Sequence, residues 1–90
     1  MRLKSSDILF GVKAKDLRDF FKRFDNNFSN KSFSDRLNIK APEVEKILDN
    51  MVKDKIINLM KLPEHGLHKK FYKVLTKGLA IRNASFKKPI

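Results

Sequence analysis

Two histidines and the lysines around them are the residues of this chain whose types and spacing best suit chemistry. His65 and His68 have the H-x-x-H spacing, in which two imidazoles can bind zinc. The 90 residues include no cysteine, and Glu64 is the only carboxylate near the pair. These ligands are too few for a zinc site. We therefore expect the two histidines to be polar loop residues or phosphate donors, and we expect no metal or other cofactor.

The other polar residues do not form a pattern typical of an enzyme. The three glycines, Gly11, Gly66 and Gly78, lie too far apart in sequence to form a glycine-rich phosphate loop. Asp16 and Asp19 alternate with lysine and arginine, which is typical of a solvated helix face rather than of a paired acid and base. No serine lies near a plausible histidine and aspartate. We therefore expect no catalytic activity.

Positive charge is the strongest property of the composition, and it is unevenly distributed. Within a net charge of +11, residues 61–90 contribute eight lysines or arginines against one acidic residue. Residues 1–40 contribute ten against five, and residues 41–60 contribute three against four. Such an excess of cations favours a polyanionic partner, because each phosphate contact releases condensed counterions.

The apolar residues do not favour a membrane or secreted protein. No run approaches the roughly 18 apolar residues of a membrane span. The basic start is followed only by the short apolar stretch 8–10, which is too short for a secretory segment. The absence of cysteine fits a reducing compartment. We expect an intracellular protein with no membrane partner, cytoplasmic or, in a bacterium or an archaeon, associated with the nucleoid.

The first third of the chain contains one clear helical pattern. Apolar residues recur at i, i+3, i+4 and i+7, which predicts a helix that begins near Lys13 and ends at residues 25–27. The residues of this stripe are Leu17, Phe20, Phe21 and Phe24. Residues 1–13 allow two interpretations, a short helix capped within 6–7 and ended by Gly11, or an extended lead-in.

Two further helices are predicted, and a tight turn separates them. Ser32 is expected to cap the second helix, which is short and ends at Asn38. The third helix begins at Pro42, because proline suits the first helical position, and ends near residues 54–55. Its buried stripe is expected to consist of Val44, Ile47, Leu48, Met51 and Val52.

The last third of the chain is rich in residues that favour β-strands. Residues 56–62 and 71–75 predict two strands, and the Pro63–Gly66 segment between them predicts that they form a hairpin. Thr76 is expected to cap a short final helix that reaches Arg82.

This order of elements resembles the winged-helix family, most closely its small MarR-type and PadR-type transcriptional regulators. Residues 33–39, the apolar positions of the third helix and Ile56-Ile57 resemble a helix-turn-helix and its exit. Residues 72–79 resemble a second wing strand that continues into a helix. The resemblance implies a mainly α fold with a small β-hairpin, that is, a winged helix-turn-helix.

The length of 90 residues predicts a single domain over residues 1–90, and the resemblance covers about residues 14–84 of it. Its core is expected to span about residues 14–84, with an N-terminal lead-in at 1–13 and a basic C-terminal tail at 85–90.

The family implies a recognition helix in the major groove of double-stranded DNA and a wing on the adjacent backbone or minor groove. Three groups of residues are therefore candidates for DNA binding. The wing group comprises Lys61, His65, His68, Lys69, Lys70 and Lys73. The helix-turn-helix group comprises Ser34, Arg36, Lys40, Lys46, Asn50 and Lys53. The tail group comprises Lys87 and Lys88. The implied role is that of a transcriptional regulator or accessory factor.

The predicted third helix departs from the family pattern, because Glu43, Glu45 and Asp49 occupy its solvent positions. Carboxylates repel phosphates, so we expect the wing to dominate the backbone contacts. Two alternatives stay open. The chain is a winged-helix module that binds a protein through this acidic face, or it is an architectural or recombination accessory factor that bends DNA. The hairpin lysines also have a structural interpretation, in which they protect a strand edge against aggregation.

Three phenylalanines outside the helical stripes suggest a homodimer. Phe10, Phe28 and Phe86 are candidates for a subunit interface, because small domains of this size often dimerise. Residues 1–12 and 80–90 are expected to contribute to a two-fold interface.

Overall fold

The fold consists of four helices and short strands in the residues that the computed structural model describes, which are 2–3, 7–61 and 69–86. About half of these residues are helical. The helices are α1 (Ala14–Arg23), α2 (Asn30–Leu37), α3 (Ala41–Lys53) and α4 (Thr76–Arg82). The strands are β1 (Arg2–Leu3), β2 (Ile8–Leu9), β3 (Val12–Lys13), β4 (Asn27–Ser29), β5 (Ile57–Met60), β6 (Phe71–Val74) and β7 (Ser85–Phe86).

Residues 8–13 form a β-hairpin rather than a helix, so the alternative of a short helix ended by Gly11 is wrong. Strands β2 and β3 form a hairpin in which Leu9 lies opposite Val12. Phe10 and Gly11 form the two-residue turn, with φ angles of 56° and 83°. Two successive positive φ angles are typical of a type I′ turn, which matches the twist of the strands it joins. Gly11 therefore serves a hairpin rather than a helix end.

The predicted limits of α1 and α2 agree with the structure except at the start of α2. Helix α1 begins directly after Lys13, as predicted. Helix α2 begins two residues before Ser32, because Ser29 is its N-cap and the Ser29 hydroxyl accepts a 3.1 Å hydrogen bond from the Ser32 amide. The prediction that Ser32 caps α2 is therefore wrong. Asn38 ends α2 in the left-handed conformation, as predicted.

Helix α3 matches its prediction more closely than α4 does. Pro42 lies in the first turn of α3, and four of the five predicted stripe residues are buried, while Val52 is half-buried. Helix α4 begins at Thr76, but its N-cap is Leu75 and no side chain caps it. The prediction that Thr76 caps α4 is therefore wrong.

Strands β4, β6 and β5 form a three-stranded antiparallel sheet in that order. The hairpin of β5 and β6 confirms the predicted pair of strands. Strand β4, which the sequence pattern did not predict, pairs with the other side of β6, so that Tyr72 lies between Phe28 and Leu59. A second, two-stranded pairing joins β1 and β7 in parallel, with Arg2 opposite Ser85 and Leu3 opposite Phe86.

Aromatic residues fill the core between α1, α2 and the sheet. The Phe28 ring packs edge-on against Phe20 at a centroid distance of 5.0 Å and stacks on Tyr72 at 5.7 Å. Phe28 is only 2% exposed, so the prediction that it lies at a subunit interface is wrong. Phe10 is half-buried and packs against this core. The Phe86 side chain lies outside the described part of the structure.

The packed core begins earlier than residue 14. Val12 of β3 is buried and belongs to the same apolar cluster as Leu17 and Phe21 of α1. The N-terminal hairpin therefore covers one end of the helical layer. Among the described helices, including the 13 residues of α3, none is long and apolar enough to cross a membrane.

We expect Gly78→Ala to destabilise the fold. A Cβ atom at Gly78 would lie 2.6 Å from Val74 Cγ1 and 2.7 Å from the Ile56 carbonyl oxygen, so α4 would have to move away from the sheet. Overpacking of this kind costs about 1–3 kcal/mol of unfolding free energy. Urea denaturation measures it, with Ala80→Gly in the same helix as the control. Helix propensity alone predicts a gain for Gly78→Ala, so an unchanged or higher stability contradicts the packing argument.

Candidate nucleic-acid interface

The turn between α2 and α3 is held by two hydrogen bonds between Ser34 and Ile39. The Ile39 amide donates to the Ser34 carbonyl oxygen over 3.1 Å, and the Ser34 hydroxyl donates to the Ile39 carbonyl oxygen over 2.6 Å. Asn38 supplies the left-handed residue between them. The hydroxyl of Ser34, a predicted DNA-binding residue, therefore supports the turn instead, and this support sets the direction of α3 relative to α2.

The exposed side of α3 presents two lysines in line. Lys46 and Lys53 are exposed and seven residues apart, which places them on one side of the helix and about 10 Å apart along its axis. Asn50 is exposed beside them, and Lys40 is exposed at the N-cap. Four of the six predicted helix-turn-helix residues thus lie on α3 or at its start. The other two, Ser34 and Arg36, lie on α2.

Arg36 is partly engaged by the protein itself. Its guanidinium carbon lies 5.8 Å from the centre of the Phe24 ring, a cation–π geometry. Arg36 remains exposed, so it can still approach a phosphate, although the stacking on Phe24 restricts its reach.

The carboxylates of α3 do not behave as one acidic face. Glu45 Oε1 lies 3.4 Å from Lys70 Nζ, so this carboxylate is paired with a cation of the predicted wing. Both side chains are substantially exposed, and the pair therefore contributes little to stability. Glu43 and Asp49 are exposed and form no ion pair with any residue that the structure describes.

Asn30 connects the start of α2 to the start of β6. The main-chain amide of Asn30 donates to the Lys70 carbonyl oxygen over 2.9 Å, and the side-chain Oδ1 of Asn30 accepts from the main-chain amide of Lys70 over 3.2 Å. The same Oδ1 accepts from the Lys31 amide over 3.0 Å. These bonds bring Lys31 and Lys70 to one junction, although the two residues are far apart in sequence. The sequence pattern does not indicate Lys31, because the predicted cap of α2, Ser32, lies three residues after the actual cap, Ser29.

An open cleft of about 780 Å³ lies at this junction, between α2, α3 and β6. Its apolar lining includes Val44, Leu48 and Tyr72. Its charged lining consists of Lys31, Lys69, Lys70 and Glu45. Three cations against one carboxylate make the rim of the cleft positive, which favours an anion.

The wing lysines of the sequence prediction do not all point the same way. Side chains alternate along β6, so Lys73 lies on the sheet face opposite to Tyr72, whereas Lys70 lies on the Tyr72 side and reaches α3. The Lys69 ammonium lies 5.5 Å from the centre of the Phe71 ring. Lys61 is exposed directly after β5.

Several predicted residues lie outside the part of the chain that the structure describes. They are His65, His68, Lys87 and Lys88. Within the described residues, no three histidine, cysteine, aspartate or glutamate side chains are grouped as metal ligands would be.

Tyr72 is the one group in this region whose pKa is clearly shifted. Burial raises the pKa of its phenol above the usual value of 10.0, and the negative charges of Asp49 and Glu45 raise it further. The phenol is therefore neutral at physiological pH and adds no negative charge to the rim of the cleft.

We expect the phenol of Tyr72 to ionise above pH 10 in the folded protein. It is the only tyrosine and the chain has no tryptophan, so phenolate absorbance reports this group alone. Asp49→Asn should lower the midpoint without returning it to 10.0, since burial is the main cause. Because the folded pKa is raised, the associated stability is present below pH 10 and is lost as the pH rises through the folded value. Glu43→Gln is the control, and an equal shift in that variant would contradict the assignment to Asp49.

We expect Ser34→Ala to loosen the turn. It removes the donor to the Ile39 carbonyl and should lower the unfolding free energy by about 1–2 kcal/mol. Ser85→Ala, at an exposed serine, is the matched control and should change stability by less than about 0.5 kcal/mol. Equal denaturation midpoints for the two variants would show that the hydroxyl is not needed in the turn.

Comparisons with known proteins leave the family of this chain open. No protein-family model, no curated protein and no solved structure matches it. What this surface binds must therefore be inferred from its own charges, contacts and geometry.

Proposed function

We propose that this chain is a winged helix-turn-helix domain that binds double-stranded DNA. The observation that carries the proposal is the hydrogen-bonded turn that joins α2 to the exposed helix α3, followed by the hairpin of β5 and β6. In this assignment α3 is the recognition helix. The connection between β5 and β6 is the wing, and β4 is the third strand of the winged-helix sheet.

The outer side of α3 supports this role by its shape and charge. The major groove of B-DNA is about 12 Å wide and admits one helix. Lys46 and Lys53 stand in line on the exposed side and can reach phosphates on the groove walls, while Asn50 can donate to and accept from a base edge. Contacts of this kind release counterions, which gives the binding its free energy and its salt dependence.

The pairing of Glu45 with Lys70 reduces the electrostatic repulsion between the acidic residues of α3 and the phosphates of DNA. A free carboxylate beside a phosphate is repelled, whereas a carboxylate 3.4 Å from an ammonium is largely compensated at short range. The same contact holds Lys70 beside α3, so one DNA duplex can contact both Lys70 and α3. The biological role that fits best is a transcriptional regulator or accessory factor with contacts mainly to the DNA backbone.

A protein-binding module is the second candidate. It is favoured by Glu43 and Asp49, which are exposed and form no ion pair within the described residues. In that case α3 docks on a basic surface of a partner instead of a groove. Weak or absent DNA binding at low salt by the folded protein would favour this candidate over the first.

The test of DNA binding is a salt series with paired charge reversals. Lys69→Glu with Lys70→Glu should weaken binding to a mixed-sequence duplex, measured by fluorescence anisotropy. For every phosphate that the variant no longer neutralises, the slope of log K against log salt should flatten by about 0.9. Lys15→Glu with Lys22→Glu on α1 makes the same change in net charge at exposed positions outside the proposed interface. Equal weakening in the two double variants would mean that only net charge matters, which contradicts the proposed site.

A second pair of variants separates α3 from the wing. Lys46→Glu with Lys53→Glu should also weaken binding, because both lysines line the outer side of α3. Glu43→Ala with Glu45→Ala should leave binding unchanged or strengthen it, since it removes repulsion from phosphates. Wild-type affinity in both lysine double variants, with unchanged circular dichroism, would overturn the proposed interface.

A further inference from the structure

The Tyr72 hydroxyl is a polar group at the cleft between α2, α3 and β6 for which the fold supplies no partner. Tyr72 is only 2% exposed, lines this cleft and stacks its ring on Phe28. Its hydroxyl forms no hydrogen bond with any residue that the structure describes. Among those residues no side-chain oxygen or nitrogen is both fully enclosed and unbonded, so the hydroxyl must reach the open space of the cleft. It is therefore placed to bond a ligand there.

The charges around the cleft differ in sign between its two sides. Three lysines of the lining belong to α2 and to the segment that leads into β6, namely Lys31, Lys69 and Lys70. Together with one glutamate, Glu45, they give the lining a net charge of +2. Near the phenol the sign is reversed, because the negative charges of Asp49 and Glu45 act on it. An anionic group is therefore favoured at the lysines and disfavoured at the phenol.

The cleft also has an apolar part and the size of a small-molecule site. Ala41 and Val44 line it and lie three residues apart, so they share one side of α3. Its volume of about 780 Å³ falls within the range of roughly 300–1,000 Å³ that is typical of such sites. The backbone of a DNA duplex could contact the lysines, but its stacked bases would leave the apolar part and the Tyr72 hydroxyl uncovered. The lining instead fits a small ligand with an anionic end, an apolar body and a hydrogen-bond acceptor.

We propose that this cleft binds a nucleotide that ends in a phosphomonoester, with the phosphate at the lysines and the base against Ala41 and Val44. A phosphomonoester carries a charge of about −1.5 to −2 at neutral pH, which matches the lining better than the single charge of a carboxylate or a phosphodiester. A base offers a flat face for apolar contact and acceptor atoms for the Tyr72 hydroxyl. A free mononucleotide and the 5′-phosphorylated end of a DNA strand share this chemistry.

Isothermal titration calorimetry of the full chain without DNA tests the site, so its result is independent of the proposed function. The probes are deoxyadenosine 5′-monophosphate, deoxyadenosine and inorganic phosphate, each at moderate salt. Because the mononucleotide links both binding parts, we expect it to bind at least about tenfold more tightly than either fragment. If phosphate binds as tightly as the mononucleotide, only the lysines bind and the proposal is wrong. Equal affinity for deoxyadenosine and the mononucleotide overturns it as well, since the charge is then unused.

Two single variants test the assigned contacts. Tyr72→Phe keeps the ring on Phe28 and removes only the hydroxyl, so it should weaken mononucleotide binding by about fivefold, the equivalent of one ordinary hydrogen bond, without weakening phosphate binding. Lys31→Gln should weaken binding of both probes. Lys22→Gln, at an exposed position of α1, makes the same change in net charge away from the cleft and is the control. Wild-type affinity in Tyr72→Phe with unchanged circular dichroism, or equal weakening by the two lysine variants, would overturn the proposal.

A titration with DNA ends identifies the source of the nucleotide. Two duplexes with an unpaired 5′ overhang are compared, one with a 5′-phosphate and one with a 5′-hydroxyl. If the ligand is a strand end, the phosphorylated duplex binds more tightly, and Tyr72→Phe reduces that preference. If the ligand is a free mononucleotide, the two duplexes bind equally, and the mononucleotide keeps its advantage over phosphate. A preference for the 5′-hydroxyl end would contradict a phosphomonoester site.

Discussion

The burial of Phe28 is the constraint on which the rest of this structure depends. Its ring meets Phe20 of α1, Phe33 of α2 and Tyr72 of β6, at centroid distances of 5.0, 5.9 and 5.7 Å. One side chain thus packs against α1, α2 and the sheet at the same time. Phe28 is the central residue of β4, so its burial helps to hold β4 against β6 and to position Ser29, which caps α2. Burial of aromatic side chains is among the largest single contributions to a small core.

The cationic surface is balanced locally rather than uniformly. Lys70 meets Glu45, Lys69 lies over Phe71, and Arg36 lies over Phe24. Each contact fixes a long flexible side chain in one region and so reduces the entropy lost when that side chain meets a phosphate. Lys46 and Lys53, in contrast, are exposed on the outer side of α3 and belong to none of the ion pairs or cation–π contacts found among the described residues. The surface therefore contains both cations that contact other side chains and cations that are exposed on a helix.

The elements with long apolar periodicity could be predicted from the sequence, and the short or non-local ones could not. The apolar stripe of α3 runs from Val44 to Val52 within a helix of 13 residues, and its repetition predicts the buried face correctly. Strand β4 has only three residues and follows directly after a helix, so its Asn27 was interpreted as part of a stop signal. Because β4 was missed, Phe28 was assigned to an interface and α2 was given the wrong cap.

Of the candidate site, the part that lies on one helix could be predicted from the sequence, and the part that depends on contacts between elements could not. The lysines of α3 follow from the helical period alone. The junction at Asn30 does not, because it joins residues forty positions apart through main-chain groups that carry no sequence signature. The hydrogen bond from the Ser34 hydroxyl to the Ile39 carbonyl oxygen also depends on the shape of the turn. The sequence alone does not indicate which carbonyl a helical serine will bond to.

The position of β6 at the centre of the sheet has a consequence for how the chain folds. Asn27 of β4 pairs with Lys73 of β6, so this contact spans roughly half of the polypeptide and closes a long loop. Helices α2 and α3 can form early from local contacts, but they cannot be locked against the sheet until the second hairpin strand has been synthesised and has arrived. The pair of helices α2 and α3 therefore depends on β6 for its packing against the sheet, and a nascent chain that ends before residue 71 lacks the central strand needed to bury Phe28.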